Sequence, residues 1–341
     1  MKQTTSSPAA SVAFDWLFAI FSTIQIAGLY VDGWAHNHLD RIETFFTPWH
    51  AIFYGGFTLT VGLLVIQLLW NRRLGYPWLR ALPRRYLFAL AGAAVFFAGG
   101  VGDMIWHTIF GIEGGLDALL SPTHLVLAVG GAMIVSGPLR AIWHRGSEAK
   151  INKIPVVISF LNLFMTFTFM VPFFHPYYLP LWMSRLPHIE IVGDLQRAFH
   201  RELGIADAVI YTGIFMGLLL STIRFWKFPL GSFTLIFGIN ALGISLAVGE
   251  NYWAVPAGFV AGALVDVIYH KLFSGLDKAH MLRIFGFLLP IGILLPYVAT
   301  VLLKSGTWWS AHFVGGYIVI AGIAGTLMTY LLVPPGDHEL K

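Results

Sequence analysis

The sequence predicts an all-α, polytopic membrane helix bundle of about ten transmembrane helices, with the N- and C-termini both cytoplasmic. Three observations predict it. Of the 341 residues, 57% are hydrophobic and only 11% charged, against roughly 25% charged residues in a soluble domain. Apolar runs of about 20 residues, enough to cross some 30 Å of hydrocarbon, recur near 12–31, 47–70, 86–107, 121–143, 154–174, 204–223, 229–249, 253–270, 284–303 and 308–333. The basic residues are also sorted. With the N-terminus inside, the inner loops and ends hold 16 of the 21 lysines and arginines, the asymmetry that sets orientation.

Each element follows from the same reading. The opening "MKQTTSSPAASVAFDW" has one lysine and no small-residue cleavage site after a short apolar core, so the first span is expected to be a retained helix. The first inner loop carries Arg72, Arg73, Arg80, Arg84 and Arg85, and later inner loops carry Arg140, Arg145, Lys150, Lys153, Arg224, Lys227, Lys271, Lys278 and Arg283. The formal charge of +4 therefore describes a rim near anionic lipid and gives no reason to expect nucleic acid. Nine of the thirteen histidines fall on the outer side: His36, His38, His50, His107, His124, His175, His188, His200 and His312. There is no cysteine, so any metal must be held by imidazole, carboxylate or amide groups. The nine methionines show no paired spacing of the kind that passes Cu(I) along a conduit.

An internal repeat organises the first third of the chain. Asp32 and His36 stand four apart at the outer end of one span, and Asp103 and His107 do so at another. Each pair leads through a polar loop to a hydroxyl residue, a proline and a histidine, Thr47-Pro48-Trp49-His50 and Ser121-Pro122-Thr123-His124, and then to Gly55-Gly56 or Gly130-Gly131. The aspartates are offset by 71 positions and the closing histidines by 74, which marks a repeat with small loop insertions. The organisation expected is a four-helix, repeated-hairpin metal-binding module at 1–146 and a six-helix membrane region at 147–341 with an outer interfacial loop at 175–203.

The spacing points to metal chemistry. Residues four apart share a helix face about 6 Å apart along the axis, so Asp and His converge on one ion. Thr47 and Ser121 fit N-caps, and the prolines fit the first helical position. One carboxylate and two imidazoles leave coordination positions open, as catalytic metal sites do. The alternative is a polar network that caps helix ends and meets headgroups, and the duplication favours metal.

These residues resemble the C subunit of the copper membrane monooxygenases, the particulate methane and ammonia monooxygenases. That family has an Asp-x3-His-x12-His motif ending in Phe-Thr-Pro-x-His, then an Asn-x3-His-x13-His motif that contains His-Thr-x4-Glu and closes on Pro-x-His. "DGWAHNHLDRIETFFTPWHAIFY" is similar to the first at Asp32, His36, Phe46, Thr47, Pro48, His50 and Tyr54. "DMIWHTIFGIEGGLDALLSPTH" is similar to the second at His107, Thr108, Glu113, Pro122 and His124. The loops are one and three residues longer than the family's, Asp103 stands where the family has asparagine, and the likeness covers roughly residues 30 to 145. The resemblance implies copper sites at Asp32, His36 and His50 and at Asp103, His107 and His124, with Glu113 in a catalytic, proton-relay role.

The expected function is a copper-dependent oxidoreductase, a monooxygenase that uses O2 to hydroxylate a small apolar substrate in the inner membrane, with its metal sites toward the extracytoplasmic face. A redox partner, other subunits or a second copy would complete it. Zinc or iron are the alternative metals. A zinc-dependent hydrolase of a lipid amide or ester, and a metal transport or assembly protein, are the alternative functions; transport would need a polar route, for which the helix interiors offer few carboxylates or histidines. His175, His188, Asp194 and His200 in the outer segment are possible further ligands. Glu250 is a candidate acid, His312 a candidate third-hairpin histidine, and Asp266 with His270 reads as structural despite the Asp-x3-His spacing.

Overall fold

The computed structural model describes residues 8, 10–39, 45–144, 153–178, 183, 193–223, 225–248, 251–272 and 279–334. Among them are helices and short connections and no strand. The chain divides into two compact units, Met1–Met170 and Val171–Lys341. The first carries α1 (Val12–His38), α2 (Pro48–Arg73), α3 (Arg84–Phe110), the short α4 (Gly115–Leu120), α5 (Pro122–Val135), α6 (Gly137–His144) and α7 (Lys153–Met170). The second carries α8 (Asp194–Ile223), α9 (Ser232–Val248), α10 (Val255–Leu272), α11 (Ala279–Lys304) and α12 (Ala311–Leu332). Eight of these helices are long and apolar enough to cross a bilayer, which makes the chain a multi-pass membrane protein.

The two remaining apolar segments are shorter, α5 and the stretch Ser232–Ala247 of α9. The apolar run at 121–143 becomes two helices because Pro138 has no N–H to give the Ile134 carbonyl. The break is closed from α7: the Ser159 hydroxyl donates to the Val135 carbonyl at 2.5 Å and accepts from the Leu139 N–H at 3.1 Å.

In the first unit the sequence repeat is also a packing repeat. Helices α1 and α2 form one antiparallel pair, α3 and α5 the other, and each pair meets through two glycines. A Cβ on Gly28 would lie 2.5 Å from the Phe53 backbone, and one on Gly99 would lie 3.0 Å from the Leu127 N. Gly56 abuts the Gln25 backbone and Gly130 abuts that of Phe96. These four contacts keep the offsets of 71 and 74 set by the ligand residues. Small residues bring backbones close enough for dispersion contacts, which drive helix association where lipid removes the hydrophobic incentive. Phe14, Phe18, Phe53, Tyr86, Phe96 and Leu127 fill the core between the pairs.

The end of the unit remote from the hairpin loops is tied by charge. Arg85 donates to Asp15 at 2.6 and 2.9 Å, and the Tyr86 hydroxyl donates to the same carboxylate at 2.7 Å. Arg85, one of the basic residues that set the expected orientation, is thus only 5% exposed.

In the second unit α9 packs on α10, α10 on α11, α11 on α12 and α12 on α8. Asp266 of α10 accepts from the N–H groups of Phe233 and Thr234 at 3.3 and 3.0 Å and from the Thr234 hydroxyl at 2.7 Å. It therefore caps the start of α9 from a neighbouring helix, the structural role its position suggested. His270 is exposed and bonds the Asp266 carbonyl of its own helix.

Candidate metal centre

Local sequence builds the site at the loop ends of both hairpins. Thr47 caps α2 by accepting from the His50 N–H at 3.1 Å, and Ser121 caps α5 by accepting from the His124 N–H at 3.4 Å. Pro48 and Pro122 take the first helical positions. Each closing histidine is therefore held in a first turn, opposite the last turns of α1 and α3, where Asp32/His36 and Asp103/His107 stand.

The six side chains gather into two groups, Asp32–His36–His50 and Asp103–His107–His124, each offering ligand atoms within 4.8 Å of one another. His50 Nε2 lies 3.3 Å and His36 Nε2 3.8 Å from the Asp32 carboxylate. His124 Nε2 lies 3.0 Å and His107 Nε2 3.4 Å from Asp103 Oδ1. The groups are neighbours: the His50 and His107 rings stack with centroids 6.5 Å apart, and Phe45 packs on both.

Three of the four histidines are wired alike. The Nδ1 of His50 faces the Phe45 carbonyl at 2.5 Å, that of His107 faces the Gly111 carbonyl at 3.1 Å, and that of His124 faces the Ala118 carbonyl. A carbonyl only accepts, so Nδ1 carries the hydrogen and Nε2 is the nitrogen turned to the carboxylate. A lone pair on Nε2 facing a carboxylate oxygen is repulsive unless a proton or metal ion lies between them. His107 Nε2 is buried and makes no hydrogen bond, as a nitrogen reserved for a metal would be. A carbonyl that fixes tautomer and ring orientation is the usual partner of a metal-binding imidazole. The residues present therefore fit a metal ion at each group.

The second group has the more elaborate surroundings. Asp103 Oδ1 accepts from the Thr123 hydroxyl at 3.1 Å, and Oδ2 accepts from the Tyr54 hydroxyl of α2 at 3.4 Å. Gly100 leaves room for the Tyr54 ring, since a Cβ there would lie 2.9 Å from it. Glu113 stands behind His107. Its Oε2 is 3.7 Å from His107 Nδ1 and has no hydrogen bond, while Oε1 accepts from the Trp106 indole. The resemblance picked out Tyr54 by position without a role. The carbonyls of Phe45, Gly111 and Ala118 had no signal in the sequence, because any residue supplies one.

The other histidines fall outside these groups. His175 is fully buried, with Nε2 on Asn240 at 2.7 Å and Nδ1 accepting from the Tyr177 N–H at 3.1 Å. Burial pushes its imidazole down to about 4. Both nitrogens are thus engaged by protein. His38 and His312 are exposed, as is Asp194, and His200 is half-buried on α8. His188, Glu250 and much of the loop at 175–203 lie outside the described residues.

No protein-family model matches the chain, and no curated protein or solved structure matches it.

Proposed function

We propose that the chain is a copper-dependent membrane oxidoreductase, a monooxygenase that hydroxylates a small apolar substrate with O2. The observation that carries this reading is the duplicated triad, one aspartate and two histidines twice over, with the histidine Nε2 atoms turned to the carboxylate. A site of imidazole and carboxylate without thiolate suits copper, iron or zinc, and the motif resemblance favours copper. Bound copper supplies one-electron redox chemistry toward O2.

The chain's own residues do the rest. Asp32, His36 and His50 hold one ion, and Asp103, His107 and His124 hold the other. The backbone carbonyls fix the imidazole rings, and Thr123 and Tyr54 fix the Asp103 carboxylate. Glu113 sits against His107 Nδ1 and can take or return a proton there. Exposed Phe46, Ile109, Phe110, Leu116 and Leu120 surround the hairpin ends with apolar surface, which suits substrate arriving through lipid. In this reading the α5–α6 pair and α9 complete ten spans. Both termini are cytoplasmic, the triads face the outer side of the inner membrane, and a redox partner supplies electrons.

Metal analysis of protein purified from copper-supplemented membranes tests the reading, together with O2 uptake under added reductant. Copper in both sites and O2 uptake that falls with His50→Ala or His124→Ala are expected. Zinc in the sites with no O2 uptake would instead favour hydrolysis of a lipid amide or ester, and full metal content in both variants would reduce the triads to a polar network.

A further inference from the structure

The second unit contains a buried polar cluster that the metal reading does not use. Asp207 lies on α8 at 2% exposure. Its Oδ1 accepts from the Tyr317 hydroxyl of α12 at 2.8 Å, and no lysine, arginine or histidine among the described residues pairs with it. Tyr317 and Tyr297 of α11 both lie within electrostatic reach of this carboxyl, and Tyr177 lies within reach of both. The Tyr177 and Tyr297 rings meet edge to face at 5.3 Å. All three tyrosines are at most 2% exposed, and the Tyr177 hydroxyl is buried with no hydrogen-bond partner. From α9 comes Asn240, engaged by His175 and Tyr211.

A carboxyl inside a membrane bundle is costly and is by default a working group. The first unit balances its own buried carboxylate, Asp15, with Arg85. Around Asp207 the protein supplies phenols in place of a cationic side chain. Phenol oxygens can donate to a carboxylate or turn a lone pair to a small ion, and since no cationic side chain among the described residues balances Asp207, a small cation from outside the chain suits the site. One carboxylate matches one positive charge, whereas divalent sites use more oxygen ligands and more charge.

We propose that the second unit binds one small monovalent cation, a proton or a sodium ion, on the Asp207 carboxyl, lined by the hydroxyls of Tyr317, Tyr297 and Tyr177. The site is independent of the triads, and its test does not depend on the metal they hold.

The experiment uses the full-length protein in detergent, as wild type, Asp207→Asn and Tyr177→Phe. Thermal unfolding is followed by tryptophan fluorescence in sodium chloride and in choline chloride at equal ionic strength. Sodium binding raises the wild-type midpoint with sodium concentration, as mass action requires, and leaves Asp207→Asn unmoved. If the cation is a proton, sodium has no effect, and alkaline titration releases about one proton more per chain from wild type than from Asp207→Asn. Should Asp207→Asn fail to fold, Tyr177→Phe decides. It shifts the half-effective sodium concentration, or the proton concentration at half-release, by about threefold, the scale of one weak hydrogen bond. Sodium and proton responses that are the same in wild type and in the variants would overturn the proposal, leaving Asp207 and Tyr317 a closed structural pair.

Discussion

Both units bury histidine, and they wire it in opposite ways. In the first unit His50, His107 and His124 each give Nδ1 to a backbone carbonyl and turn Nε2 to a carboxylate. In the second unit His175 gives one nitrogen to Asn240 and the other to the Tyr177 N–H. Its hydrogen-bonding capacity is used up in joining the segment after Met170 to α9. Burial alone therefore does not single out a candidate metal ligand. The mark is a nitrogen whose neighbour is another electron-pair donor, an arrangement that needs a positive charge between the two.

The largest effect that would break this comparison is loss of a ligand. His124→Ala is expected to lower metal affinity at the second site by about 100-fold or more, beyond the 10- to 100-fold typical of residues that only orient a ligand. His175→Gln should leave metal content unchanged. Metal per chain at matched monodispersity checks both, and equal metal loss in the two variants would erase the distinction.

The next effect is on stability in acid. His175 is neutral in the folded chain down to about 4, whereas in the unfolded chain it titrates near 6.5. Between those values the unfolded state binds a proton that the folded state refuses, so stability falls as pH drops through this window. The full contribution is present above about pH 6.5, and roughly 3 kcal/mol is at stake across the window. Unfolding midpoints of wild type and His175→Gln between these pH values measure it; the acid-side slope should flatten in the variant.

The smallest effect separates the two triads. Asp32 is 14% exposed and Asp103 2%, and Asp103 is also held by Thr123 and Tyr54. Asp103→Asn keeps the shape and an oxygen for those hydroxyls while removing one charge. It should weaken metal about tenfold, less than His107→Ala, which deletes a ligand and leaves a buried carboxylate without its partner. Competition with a chelator ranks the three proteins; an Asp103→Asn variant that lost metal as fully as His107→Ala would mean that charge outweighs geometry at this site.

The triads were legible because a chain this apolar has few polar side chains near its span ends, and a duplicated pattern among few letters is conspicuous. The caps at Thr47 and Ser121 were legible for a local reason, since a hydroxyl followed by proline specifies a helix start within four residues. What crosses between helices was not legible. Tyr54 to Asp103, His175 to Asn240 and Tyr317 to Asp207 are separated by 49, 65 and 110 residues, and no local pattern encodes such distances. The glycine contacts fall between these cases. Gly55-Gly56 and Gly130-Gly131 were visible as pairs, but only packing shows that Gly56 and Gly130 touch backbone while a Cβ on Gly55 would meet nothing within 4 Å. The apolar run at 121–143 promised one long helix because hydropathy does not register the backbone donor missing at Pro138.

That break bears on how the protein enters its membrane during synthesis. Until Ser159 arrives on α7, the Val135 carbonyl and the Leu139 N–H have no partner across the gap, and hydrocarbon provides none. A nascent chain ending at His144 would hold this segment at the interface or inside the insertion machinery rather than release it into lipid. If the fourth apolar run crosses the bilayer, as the ten-span reading holds, it would have to be committed together with the helix that follows it, so that α5, α6 and α7 would integrate as a single event.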